Sequence, residues 1–513
     1  MKSSAVKERD RTLALGANLL ILAGNSPFTI ASPISKMRWI RKVTVGAFLA
    51  TSAIAGPASL RASNKRYVEE RNGVNYNVFE HAAMNSKLSF VNNSGICETT
   101  PGVNQYSGYI TVNDSMNMWF WFFEARTTPE KAPLVAYFDG GPGDSSEYGL
   151  FTQNGPCHFV NNENEPSLNP YSFNKHANML YVDQPVGVGF SYGNATVSST
   201  KAAAPVVWNL LQAFYDNFPE YANRAFGIFT ESYGGHYGPE FVRYILDQNA
   251  EISRGAIQGE EIHMVALGIS NGWFDAEIQE RSHLEYMYNN SYRQIINKTY
   301  HDELMLQYHT AVKPAIDKCA ATDTVDDCFA AWDQYYMKIE FPMIAAMRGK
   351  SPDFYLGDIR DPYLRPPSTH VAYLQRADIQ KALGAQVNYT DQAGPGGFIS
   401  SGDDARSFLE ELSTVVQSGV RVLIWTGDAD YFCNWPGTLR VADAVGWPGQ
   451  EPFGNQTLEP YTLNGVEKGT FKSLDNLIFM RIYEAGHNVP FYQPEVSLQI
   501  FKQTMEKGGI VPT

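Results

Sequence analysis

The chain has 513 residues, with 40 Lys and Arg against 54 Asp and Glu and a formal charge of −14. That balance excludes a nucleic-acid binder, which needs clustered basic side chains to neutralise phosphates. At 44% hydrophobic and 18% charged, the composition is globular with ample core, neither disordered nor collagenous, which leaves a soluble protein acting on something small, peptidic or glycosidic.

The amino terminus reads as an address. Lys36, Arg38, Arg41 and Lys42 precede an apolar run from Val43 to Ala55 that closes in Ala53-Ile54-Ala55, the layout of a secretory signal. Such a run is too short to span a bilayer, so no membrane anchor is expected and residues 1–55 are set aside as an upstream extension and a leader that is removed. The eight basic and two acidic residues of that stretch leave 32 against 52 in residues 56–513, a net of −20. Export also permits disulfides. Of the five cysteines, Cys319 and Cys328 stand nine apart in a helical-looking segment and are paired first; Cys97 with Cys157 is the second pairing, and Cys433 is left over. Asn92, Asn113, Asn194, Asn289, Asn297, Asn388 and Asn455 each open an N-x-[ST] sequon, so glycosylation is expected on some of them.

From about Tyr106 apolar runs alternate with turn clusters. Met118–Glu124, Leu134–Phe138, Met179–Val182, Ala225–Phe229, Met264–Leu267, Val420–Trp425 and Leu477–Ile482 read as strands, several of them continuous apolar runs suited to burial on both faces. Helical periodicity over Val206–Phe218 and Glu240–Asn249 makes the pattern that of an α/β protein with a mostly parallel central sheet and helices on both faces. Between about 277 and 365 the strand signal gives way to aromatic, polar, helix-like segments, read as a helical insertion capping the sheet within one catalytic domain of residues 56–513.

In such sheets active groups sit on loops at the carboxyl ends of strands. After Ala225–Phe229 comes Thr230-Glu231-Ser232-Tyr233-Gly234-Gly235-His236, a strand-to-helix serine turn of the nucleophile-elbow kind in which Thr230 breaks the first glycine of G-x-S-x-G. After Leu134–Phe138 comes Asp139-Gly140-Gly141-Pro142-Gly143, whose glycines would let backbone N–H groups reach a reacting oxygen. The hydrolase order is Ser, then an acid, then His. Only His487 lies downstream of residue 371, and the loop after Val420–Trp425 offers two acids, Asp428 and Asp430. A turn serine, a solvated aspartate and a surface histidine are each commonplace. Three in this order, each after an apolar strand, favour a catalytic triad. Gly187-Val188-Gly189-Phe190-Ser191-Tyr192-Gly193 mimics a dinucleotide fingerprint, but its third glycine is one place late. No His or Cys cluster has zinc-ligand spacing, so neither a metal nor a cofactor is expected.

Taken together, GGPG with Ser145-Ser146, DQPVGVGFSYG (Asp183 to Gly193), TESYGGHYGPEF (Thr230 to Phe241), GDADYFCNW (Gly427 to Trp435) and AGHNVPFYQP (Ala485 to Pro494) resemble the serine carboxypeptidase family, and within it the secreted fungal S1 group. The resemblance spans almost all of the chain beyond the leader. It implies an α/β-hydrolase fold and a secreted, extracellular enzyme, a vacuolar one being the lesser alternative. It also implies removal of the last residue from peptide and protein C-termini at acidic pH. Ser232 would be the nucleophile, His487 the base and Asp430 the acid, with Gly141 and Tyr233 donating the oxyanion N–H pair. Asp139, Gly140 and Glu231 would meet the substrate carboxylate, and Phe432 and Cys433 would line the pocket.

Two positions depart from the family pattern. Asp139 stands where relatives carry an Asn amide donor, so two acids face the substrate carboxylate; shared protons would confine tight binding to more acidic pH. Asp144 replaces a cysteine that commonly joins a disulfide. An acyltransferase on the same scaffold, or a catalytically silent binding glycoprotein, are the competing readings, against the second of which every triad position is intact.

Overall fold

The computed structural model describes residues 64–513 apart from 82–85, 114, 161–162, 195–196, 351–353, 394–395 and 507. The expected leader, residues 1–55, lies outside the described residues. Thirteen of the fourteen strands of the main sheet follow one another along it, the short Tyr192–Gly193 pairing off this path with β5: β1 (Lys65–Arg71), β2 (Val74–His81), β3 (Ser86–Asn92), β4 (Gln105–Asn113), β5 (Met116–Phe123), β6 (Leu134–Phe138), β7 (Asn178–Val182), β8 (Phe226–Glu231), β9 (Met264–Ser270), β10 (Arg421–Gly427), β11 (Glu459–Leu463), β12 (Val466–Leu474) and β13 (Leu477–Ile482). Their spatial order is β1-β2-β3-β4-β5-β7-β6-β8-β9-β10-β13-β12-β11.

The centre, β7 to β13 through β6, β8, β9 and β10, is parallel throughout. Its strands are buried on both faces, which is why they read as continuous apolar runs. In β6, Leu134, Ala136 and Phe138 point into one hydrophobic cluster while Val135 and Tyr137 point into the other. All five are at most 2% exposed, and removing a side chain such as Phe138 would cost about 3–5 kcal/mol.

Both margins are antiparallel. The sequence reading began its alternation at about Tyr106 but named no strand before Met118, so it missed β1 to β4, as well as β11 and β12. The outermost strand, β1, is KRYVEER and mostly exposed, so it carries charge where a buried run would carry apolar residues, as edge strands do. Its hairpin turns on Asn72-Gly73, both at positive φ, and β11–β12 turns on Asn464-Gly465 in the same way, the Asn-Gly pair that two-residue hairpins favour.

Helices Thr200–Asn217 and Gly234–Ser253 pack with the sheet. The first is capped by Ser199, whose hydroxyl accepts the Ala202 N–H at 3.2 Å. Between β9 and β10, five longer helices (Ala276–Tyr288, Lys298–Gln307, Lys313–Thr322, Val325–Tyr335 and Phe341–Lys350) occupy the chain from 276 to 350. Cys319 and Cys328 join two of them, and Cys97 is bonded to Cys157. Both pairings expected from the sequence are formed, and Cys433 is free and buried. Among the described residues no helix is long and apolar enough to cross a membrane.

Candidate active site

Ser232 follows β8 directly, at φ +58°, and Gly234–Ser253 starts two residues later. A left-handed serine between strand and helix costs backbone strain, which three backbone bonds hold in place. The Ser232 N–H donates to Ser270 O at 3.0 Å, and Ser232 O accepts from Trp273 N at 2.8 Å and Gly235 N at 3.0 Å. Thr230, the residue that breaks the glycine pattern, fits because Gly234 has no side chain. A Cβ on Gly234 would lie 2.3 Å from Thr230 Cβ, and the Thr230 hydroxyl instead donates to Gly234 O at 3.0 Å.

The glycine loop after β6 passes over this turn. A Cβ on Gly140 would come within 2.6 Å of Tyr233 N and 2.7 Å of Ser232 Cβ, and Gly141 has φ +106°. Only glycine permits that approach. It brings the backbone of Gly140, with Gly141 next in the chain, against Tyr233 and Ser232. The Tyr233 ring is fixed from behind by a hydroxyl bond to Asp403 at 2.9 Å and by stacking on His236.

His487 comes from the loop after β13 and Asp430 from the loop after β10. His487 Nδ1 and Asp430 Oδ2 are 2.8 Å apart. Asp430 is fully buried, and its two oxygens also accept from Asn271 Nδ2 at 2.8 Å, Phe432 N at 2.9 Å and Cys433 N at 3.0 Å. The alternative acid, Asp428, faces elsewhere, pairing with Arg481 at 3.0 Å and accepting the Glu484 N–H at 2.9 Å. The His487 main chain is tied to the segment before residue 365 through its N–H on Gly357 O at 2.7 Å. Burial on its own would lower the His487 pKa, but the Asp430 carboxylate, then Glu231 and Asp144, outweigh it and raise the pKa to about 9.

Glu231 Oε1 lies 3.6 Å from His487 Nε2. Its oxygens accept from the side-chain amides of Gln153 and Asn488. Asp139 holds two backbone N–H groups, those of Gly140 at 3.0 Å and Gly149 at 2.9 Å. No hydrogen bond joins the Asp139 and Glu231 carboxyls among the described residues, yet they share one buried region with Asp144. Burial, and for Asp139 the neighbouring Glu231 charge, pushes both pKa values up; burial and the Asp391 charge push Asp144 up to about 7.

The Asp430 carboxylate, the Cys433 thiol and the His487 ring converge, with one polar atom of each within 4.8 Å of the others. Burial pushes the Cys433 thiol pKa up. The Phe432 ring meets His487 edge to face at 5.4 Å between centroids and is 36% exposed. Of the sequon asparagines, Asn92, Asn194, Asn289, Asn297, Asn388 and Asn455 are exposed, and the Asn113 side chain lies outside what is described.

Three contributors escaped the sequence reading. Asn271 follows β9 and so carries the same positional signal as the other loops, but its amide does not titrate and matches no nucleophile, acid or base pattern. Asn488 stands next to the histidine, and Gln153 lies in a segment with no motif of its own.

A parallel sheet with a strained serine turn, an Asp–His pair from later strands and a glycine loop over the serine is the arrangement of an α/β hydrolase. Kex1Δp, a prohormone-processing carboxypeptidase from Saccharomyces cerevisiae, shares that fold with a TM-score of 0.66 at 21% identity, over 80% of this chain and 92% of that one. The serine carboxypeptidase family model matches residues 95–507. Carboxypeptidase S1 of Penicillium janthinellum is 55% identical over 432 residues, 83% of this chain and 100% of that protein. Carboxypeptidase S1 homolog A of Arthroderma otae is 34% identical, over 82% of this chain and 76% of its own length. The chain belongs to the serine carboxypeptidase family.

Proposed function

We propose that the protein is exported and releases the C-terminal amino acid of peptides and proteins at acidic pH, through an acyl-enzyme formed on Ser232. His487 takes the Ser232 hydroxyl proton as Oγ attacks the carbonyl carbon of the last peptide bond, and Asp430 holds the imidazole and offsets the charge it gains. The Gly141 and Tyr233 N–H groups hold the oxyanion. When the intermediate collapses, the C–N bond breaks, His487 returns the proton to the leaving nitrogen, and the acyl group stays on Ser232 as an ester. A water that loses its proton to His487 then hydrolyses the ester and restores the serine.

The observation that carries this reading is the 2.8 Å Asp430–His487 bond, together with a serine at φ +58° whose chain neighbour Glu231 lies 3.6 Å from His487 Nε2. Cleavage at the last bond calls for a group that recognises a free carboxylate. Glu231, with Asp139 and Gly140, fills that part: protonated, Glu231 donates a hydrogen bond to the substrate carboxylate, whereas ionised it repels it. Acidity serves the base as well, because Glu231 and Asp144 both help to hold the proton on His487. Neutralising them relaxes that hold. The leader-like residues 36–55 and the two disulfides support export, the net of −20 beyond residue 55 suits work at low pH, where partial protonation reduces self-repulsion, and the exposed sequons would carry the glycans. The helical insertion of 277–365 caps the site, joined to the Asp430 loop through the His283 ring on Phe432 O at 2.7 Å.

Organophosphate labelling with product analysis tests the reading. We expect one label on Ser232, single residues released in order from peptide C-termini, and a loss of roughly 10⁴-fold or more in Ser232→Ala. Absence of labelling, or cleavage at internal bonds, breaks it.

A further inference from the structure

The mechanism leaves the two buried amides on Glu231 without a task. Asn488 Nδ2 donates to Glu231 Oε1 at 2.7 Å and Gln153 Nε2 donates to Oε2. Asn488 is 1% exposed and Glu231 2%, so their bond is protected from water. The far end of the Asn488 amide is also occupied: its Oδ1 accepts from the Tyr148 hydroxyl at 3.0 Å and the Tyr355 hydroxyl at 3.5 Å. Two phenol protons on the amide oxygen leave only the NH₂ end to meet the acid, so the amide has one orientation. Asn488 also follows His487 in the chain, so a single short loop presents both the base and this donor.

We infer that Asn488 is a positioning residue for C-terminal carboxylate recognition: a chain from Tyr148 through Asn488 to Glu231 sets the Glu231 carboxyl in the one orientation that meets the substrate's free carboxylate beside Ser232. This rests on the proposed role of Glu231. Gln153 alone fixes a single oxygen, about which the carboxyl would turn. An amide suits the task because it donates at every pH, in a region where other groups titrate. Glu231 faces His487 and Asp430 from the later loops, Asp139 and Asp144 from the glycine loop, and the phenols of Tyr137, Tyr148 and Tyr355.

The test compares a blocked dipeptide acid with its methyl ester in wild type, Asn488→Leu and Asn488→Asp, at pH 4 and pH 7. The readout is the ratio of kcat/KM for acid over ester. In Asn488→Leu we expect that ratio to fall about tenfold at pH 4, through the KM for the acid, as the loss of one hydrogen bond to a buried carboxyl predicts. Asn488→Asp supports the inference if it keeps the wild-type ratio at pH 4, where its carboxyl can donate, and loses about tenfold more than wild type by pH 7, where it is ionised. It also serves if the leucine variant does not fold. A purely structural role for Asn488 would depress acid and ester hydrolysis alike and leave the ratio unmoved at both pH values, which overturns the inference. If wild type itself shows no preference for the acid at pH 4, the Glu231 reading falls too; if wild type discriminates and both variants match it, the inference falls alone.

Discussion

Asp430 and Glu231 are both buried and face opposite ring nitrogens of His487, Nδ1 and Nε2. Asp430 has donors from four groups, two side chains and two main-chain N–H groups, so its negative charge is spread over fixed dipoles. Glu231 has two amides and, close by, two further acids. What differs is the company each buried carboxyl keeps. Surrounded by donors, an acid serves as a permanent counter-charge; surrounded by acids, it holds its proton and becomes a donor that the pH can withdraw.

The sharpest way to break this contrast is on the Asp430 side. Asp430→Asn keeps the shape but presents an NH₂ group to a donor and leaves His487 in the wrong tautomer; kcat should fall about 10⁴-fold for a dipeptide acid and for its ester alike. Equal activity of the variant toward either substrate would show that the Asp430 charge is not needed. On the other side, Glu231→Gln removes the titration. In wild type the KM for a dipeptide acid should rise about tenfold between pH 6 and pH 8 as Glu231, raised to about 7 by burial, loses its proton, while the glutamine variant shows a flat profile. The variant's KM at pH 4 should itself be raised, since its NH₂ must oppose one of the two amides. A wild-type slope that survives in Glu231→Gln would assign the titration to another group.

The smallest effect concerns stability. Burial and the neighbouring Asp391 charge raise Asp144 to about 7, against about 3.9 in an unfolded chain. Between those values the folded protein keeps a proton that the unfolded chain has released, so stability is highest below about pH 4 and falls as pH rises to about 7. Asp144→Asn cannot ionise. The drop in Tm from pH 4 to pH 7 should shrink by about 1–2 °C in that variant, a difference scanning calorimetry resolves.

How much of this was legible in the sequence follows the same division. Strands buried on both faces announce themselves as unbroken apolar runs, and the loops at their carboxyl ends then locate Ser232, Asp430 and His487 in order. The margins of the sheet escaped because one-sided burial lets charge into every second position, although the Asn-Gly pairs at 72–73 and 464–465 carried the hairpins openly. Spacing left Asp428 and Asp430 as equal candidates for the partner of His487. Geometry separates them, because Arg481 engages the first. The amides of Asn271, Gln153 and Asn488 were the least legible. Such side chains act by orientation, and orientation depends on what faces both ends of the group, here contributed by residues up to 340 positions away, as with Tyr148 and Asn488.

The bond between Cys97 and Cys157 closes a ring 60 residues in span, and that ring contains β4, β5, β6 and the whole glycine loop over Ser232. The glycine loop is therefore enclosed by a covalent hoop, while Ser232, Asp430 and His487 stand outside it. Protein made in a reducing cytosol would lack the hoop but retain the three reactive residues. Such material should still fold its parallel centre yet misplace the glycine loop beside Ser232, so specific activity would report on the oxidation history of a preparation even where its yield of folded protein does not.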